Sequence, residues 1–101
     1  MDALEPVLEV VFKGARALEE AVRILQRSQT PDEARRAFTQ VAALFRDDSD
    51  QTLTNRLREA SRPGWLDDSQ VLQFRQFMIG DFPKQASKLR ETAADLRAKF
   101  G

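Results

Sequence analysis

The chain has 101 residues, 32% of them charged and 42% apolar, which suits one globular domain (residues 1–101) and is too apolar for disorder. Sixteen basic side chains balance sixteen acidic ones, so no overall field favours nucleic acid or an anionic membrane. Histidine, cysteine and tyrosine are absent, which removes disulfides, the usual zinc sites and Ser-His or Cys-His nucleophile pairs.

The N-terminus is acidic at Asp2 and Glu5 and has no secretory pattern. The longest unbroken apolar run, Val41 to Phe45, is far short of the roughly 20 residues that cross a bilayer. These features imply a cytoplasmic protein. Arginine outnumbers lysine twelve to four and alanine is abundant, a usage associated with GC-rich bacterial genomes.

The first predicted helix runs from Pro6 to Arg27. Leu4, Leu8, Val11, Ala15, Leu18, Val22 and Leu25 form one seam, and Val7, Val10, Ala17, Ala21 and Ile24 form a second beside it. Together they span an apolar arc of roughly 200°, about twice what a surface helix needs. Such a helix calls for cover on two sides, from its own chain or from a partner. Gly14 inside that arc predicts close approach of a neighbouring helix.

Thr30-Pro31-Asp32-Glu33 is a helix start with a capping threonine, proline at the first position and glutamate three residues after the cap. The second helix runs to about Arg46, with Ala34, Ala37, Phe38, Val41, Ala42, Leu44 and Phe45 inward. Asp47-Asp48-Ser49-Asp50 closes it and opens a third helix to Ser61, with a thin apolar face of Leu53, Leu57 and Ala60. Arg62-Pro63-Gly64 is a break. A fourth helix, capped by Asp67 or Asp68, is predicted to end at Ile79, and Gly80-Asp81-Phe82-Pro83 to separate it from a fifth that reaches Phe100.

No strand pattern, repeat or low-complexity segment is present. Short connections favour antiparallel neighbours. The expected fold is therefore all-α: a compact antiparallel bundle of four to five helices with a long central N-terminal helix.

No catalytic, cofactor or metal site emerges. The acid pairs Glu19-Glu20, Asp47-Asp48 and Asp67-Asp68 fall on a polar face or at helix starts, where solvation and the helix dipole account for them. From Asp48 onward, Asp50, Thr52, Thr54 and Glu59 match calcium-loop spacing, but Leu53 stands where that loop needs glycine. A helix-turn-helix reading of residues 39–62 offers Asn55, Arg56, Arg58 and Arg62 to a nucleic acid, against three aspartates at the same helix's start.

Four of the eight aromatic residues, Trp65, Phe74, Phe77 and Phe82, lie within eighteen residues, and Arg75 falls among the apolar positions. Aromatic residues and arginine dominate binding hot spots, so Trp65, Arg75, Phe77 and Phe82, with Phe12 at the edge of the first helix, are candidate partner contacts. The sequence thus points to a non-catalytic protein-interaction module for adaptor, recruitment or assembly roles, with a small nucleic-acid-binding regulator as the alternative. The heptad seams of the first and last segments suit either intramolecular packing or continuation across a two-fold axis in a homodimer. No membrane or small-molecule partner is expected.

Overall fold

The computed structural model describes residues 3–101. It contains four helices: α1 (Leu4–Gln26), α2 (Pro31–Leu44), α3 (Thr52–Ser61) and α4 (Asp68–Phe100). There is no strand among the described residues, and no helix is long and apolar enough to cross a membrane.

The starts of α2 and α4 follow the predicted chemistry, whereas α1 begins at Leu4, ahead of Pro6, with no side-chain cap, and α3 begins at Thr52 rather than Asp50. Thr30 Oγ1 accepts the Glu33 N–H at 3.2 Å, while Glu33 Oε1 accepts the Thr30 N–H at 3.1 Å, so two orphan donors are satisfied reciprocally at the start of α2. Asp67 and Gln70 make the same reciprocal pair at the start of α4. At α3, Asp50 Oδ1 accepts the Thr52 N–H at 2.9 Å.

The predicted break at Gly80–Pro83 is not there: α4 passes through it as one helix of 33 residues. Proline in a helix interior removes one backbone bond and crowds the carbonyl four residues back, at a cost of about 3 kcal/mol. Packing outweighs that cost here. Met78, Phe82 and Ala86 bracket the site and are buried, while Pro83 itself points to solvent. At 1.5 Å per residue such a helix is about 50 Å long, and the molecule's longest dimension is 51 Å.

α1 lies antiparallel to α4. Phe12 faces Arg97, Glu19 pairs with Arg90, and the Leu25 carbonyl meets Arg75. A Cβ on Gly14 would lie 3.4 Å from Leu89 Cδ1, so the close neighbour is an α4 side chain and alanine fits at contact distance. α2 runs parallel to α4, with Phe38 edge-on to Phe74 at 5.2 Å and Phe45 edge-on to Phe82 at 6.2 Å. α3 folds back on α2, where the buried Thr54 hydroxyl donates to the Phe45 carbonyl. The core gathers Leu18, Leu25, Phe38, Val41, Leu57, Val71, Met78 and Phe82, with alanines permitting close helix contact.

α1 is not central along its whole length. Leu8, Ala15, Leu18 and Leu25 of the first seam are buried. In the second seam only Ala21 is buried, and Val7 and Val10 are exposed. The reason is length: α2 has 14 residues against 23 in α1, about 14 Å shorter. Leu44, expected inward, marks the end of α2 and is partly exposed. Beyond it, α1 and α4 continue as a two-helix arm. The radius of gyration of 15.4 Å exceeds the roughly 13 Å of a compact chain of this size, as a protruding arm requires.

Candidate interaction surfaces

The five candidate partner residues do not form one patch. Phe82 is a core residue at 2% exposure, because it continues the inward stripe of Val71, Met78 and Ala86. Arg75 donates through Nε to the Leu25 carbonyl at 2.9 Å and so closes the C-terminus of α1. Phe12 is half-buried, with the Arg97 guanidinium 5.3 Å from its ring centroid. Of these five, Trp65, 58% exposed, and Phe77, 63% exposed, face solvent as large aromatic surfaces.

Those two share a region. A cleft of about 410 Å³ separates α3 from the first turns of α4; Ala60, Leu66 and Phe74 line its apolar part, Trp65 stands beside them, and Arg56, Glu59, Gln70 and Gln73 supply its polar lining. Phe77 is four residues after Gln73 and three after Phe74, hence one turn further along the same side of α4.

The chain builds this cleft locally. α3 stops at Arg62, whose backbone turns extended ahead of Pro63. Gly64 takes φ +81°, a left-handed geometry that suits glycine, and the chain swings Trp65 outward while Leu66 tucks in. Arg35 from α2 then fixes the loop: one Nη2 reaches the Leu66 carbonyl at 3.0 Å and Asp68 Oδ1 at 2.9 Å. The arginine side chain is only 15% exposed, so the tether is sheltered on its own side.

Comparison with known protein families, with curated proteins and with solved structures finds no match in any of the three. The surfaces themselves therefore carry the functional reading.

On α3, Asn55 and Arg58 are three apart on an outer, exposed face, and the exposed Arg62 follows at the C-cap, whereas Arg56 turns toward the cleft. Asp47, Asp48 and Asp50 stand at the same helix's start, and Asp50 is held below the usual carboxylate pKa by its hydrogen bonds from Thr52. Thr54, seventh in the calcium-loop count, is buried. No cluster of three acidic side chains suited to a metal occurs among the described residues.

A second apolar surface was not singled out by sequence reasoning. On the arm, Ala3, Leu4 and Val7 of α1 and Leu96 and Phe100 of α4 line a groove of about 390 Å³. A second concavity lies further along α1, where Val10, Gly14 and Ala17 meet Leu44 and where Lys13, Asp47 and Asp48 stand. The signal was present in the mismatch between a 200° apolar arc on a long helix and the short second helix meant to cover it.

Proposed function

We propose that this chain is a non-catalytic protein-association module, in an adaptor, recruitment or assembly role in the cytoplasm, and that it takes a partner in the α3–α4 cleft. The observation that supports this is the exposure of Trp65 in the loop before α4 and of Phe77 on α4, beside a cleft lined by Leu66 and Phe74. Large aromatics at the margin of a concave surface with polar neighbours match the anatomy of binding hot spots. A partner helix or extended segment with one apolar anchor fits; Arg56 and Glu59 set its orientation through charge, and Gln70 and Gln73 supply hydrogen bonds.

Trp65 is the chain's single tryptophan, so its fluorescence reports on the cleft directly. A captured partner is expected to shift that emission to the blue, and Phe77→Ala and Trp65→Ala to abolish capture with unchanged helical circular dichroism. Capture that survives both substitutions contradicts the proposal.

A second reading draws on the outer face of α3, where Asn55, Arg58 and Arg62 suit phosphates and base edges. A nucleic-acid regulator would bind heparin or DNA with steep salt dependence, and Arg58→Ala would lower that slope by about one. The association module ignores both matrices.

A further inference from the structure

Ala3 at the N-cap and Val7, Val10, Gly14 and Ala17 of α1 fall at spacings of four, three, four and three, which makes them one row. Two concavities lie beside this row, one with Phe100 at the arm's tip and one with Leu44 at the end of α2, and together they make the groove face. Val10 is 71% exposed, Phe100 65%, Val7 47% and Leu44 38%, so four of the six exposed large apolar side chains among the described residues lie along it.

We infer that this face binds a second copy of the chain, the two arms lying antiparallel about a two-fold axis near Val7 and Val10. This deepens the association reading and rests on it, but it uses a different surface from the aromatic cleft.

Charge selects the occupant. At the tip, Lys99 Nζ lies 5.6 Å from the Phe100 ring centroid. At the other end Asp47 and Asp48 line the groove; Lys13 stands with them and offsets one of the two, and Asp50 follows in the loop. A two-fold rotation across the groove sets Lys99 of each copy against Asp47 and Asp48 of the other. A parallel arrangement sets like charge on like.

Shape agrees with this pairing. The face spans Leu4 to Gly14, about 15 Å, and α2 stops it at Leu44. The same rotation brings each Phe100 to the other copy's Leu44, while Val7 and Val10 meet Val10 and Val7 at the axis. Each exposed apolar side chain of the row then has a counterpart, as an isologous contact requires. The area is small for a stable dimer, so association in the micromolar range is expected.

Sedimentation equilibrium of the purified chain, from about 5 to 500 µM at low salt, tests this. A monomer–dimer equilibrium is expected. Val10→Asp, at a site exposed in the monomer, should weaken the dimer roughly a hundredfold while circular dichroism stays unchanged. Lys99→Glu should weaken it about three- to tenfold, and adding Asp47→Lys and Asp48→Lys to that variant should restore it.

A wild-type chain that stays monomeric throughout the range overturns the inference and leaves the groove to a foreign helix. A dimer indifferent to Val10→Asp overturns it as well. Failure of the charge swap to restore association refutes the antiparallel pairing. None of these outcomes touches capture through Trp65 and Phe77, which is read separately.

Discussion

Arg75 of α4 donates through Nε to the carbonyl oxygen of Leu25, 2.9 Å away, at the last turn of α1. The Leu25 carbonyl also accepts the Ser28 N–H at 3.1 Å, so the guanidinium is its second donor and complements the partial negative charge at the helix C-terminus. This resolves the arginine that falls among apolar positions in the sequence: its partner is backbone.

Replacing Arg75 with methionine keeps the stem's packing and removes the donor. A loss of about 1–2 kcal/mol is expected, or a melting temperature lower by roughly 5–15 °C. Thermal denaturation followed by circular dichroism checks it. No change would mean that the Ser28 N–H and water serve the Leu25 carbonyl equally well.

Pro83 gives the opposite sign. Its ring is exposed within a helix that continues on both sides, so Pro83→Ala should restore a backbone bond to Ile79 and stabilise the fold by about 1–3 kcal/mol. Gly80, which has open space where a Cβ would lie, should yield about 0.5–1 kcal/mol on conversion to alanine. Urea midpoints that move up with unchanged slope support both. A midpoint that falls for Pro83→Ala would show that the proline shapes a bend the core requires.

Stability should also depend on pH through Glu19. Its carboxylate accepts from the Arg90 guanidinium at 2.7 Å and 3.1 Å. That hydrogen bond first, and the charges of Arg90, Arg23 and Arg16 after it, hold its pKa below the ordinary 4.5. A group with a depressed folded pKa contributes stability above its unfolded pKa and loses it as pH falls through the folded value. The wild type should therefore lose melting temperature below about pH 4.5, and Glu19→Gln should lose less over the same window, with Glu33 and Asp50 supplying the remainder. Identical pH profiles for the two proteins would remove Glu19 from this role.

Local rules made much of the fold legible. The reciprocal caps at Thr30–Glu33 and Asp67–Gln70, the turn at Arg62–Gly64 and the inward seams are all short-range chemistry, and short-range chemistry is what residue spacing encodes. Continuity of α4 was not legible in this way, because glycine and proline together argue for a stop, and only the burial of Met78, Phe82 and Ala86 on either side overrides them. The inward spacing of Val71, Met78, Phe82, Leu89, Ala93 and Leu96 carried that continuity and also placed Phe82 in the core.

The surfaces were legible in part. Trp65 and Phe77 stand out in the sequence as large aromatic residues, but spacing does not settle their exposure: the Gly64 turn carries Trp65 outward ahead of α4, and Phe77 adjoins the buried Met78. Arg75 needed a carbonyl on another helix, which no local pattern contains. Exposure of Val7 and Val10 depends on where α2 ends relative to α1, a comparison between two elements rather than a property of either.

Both surfaces depend on α4 being one unbroken rod, since it walls the aromatic cleft at one end and the arm groove at the other. The chain has no cysteine of its own, so cysteines at the exposed positions Ser69 and Ala98 can each carry a spin label. With labelled protein diluted in unlabelled, an unbroken helix gives a separation of roughly 43 Å. A chain that reverses at Gly80–Pro83 gives about half of that or less, and contradicts the architecture on which both surfaces rest.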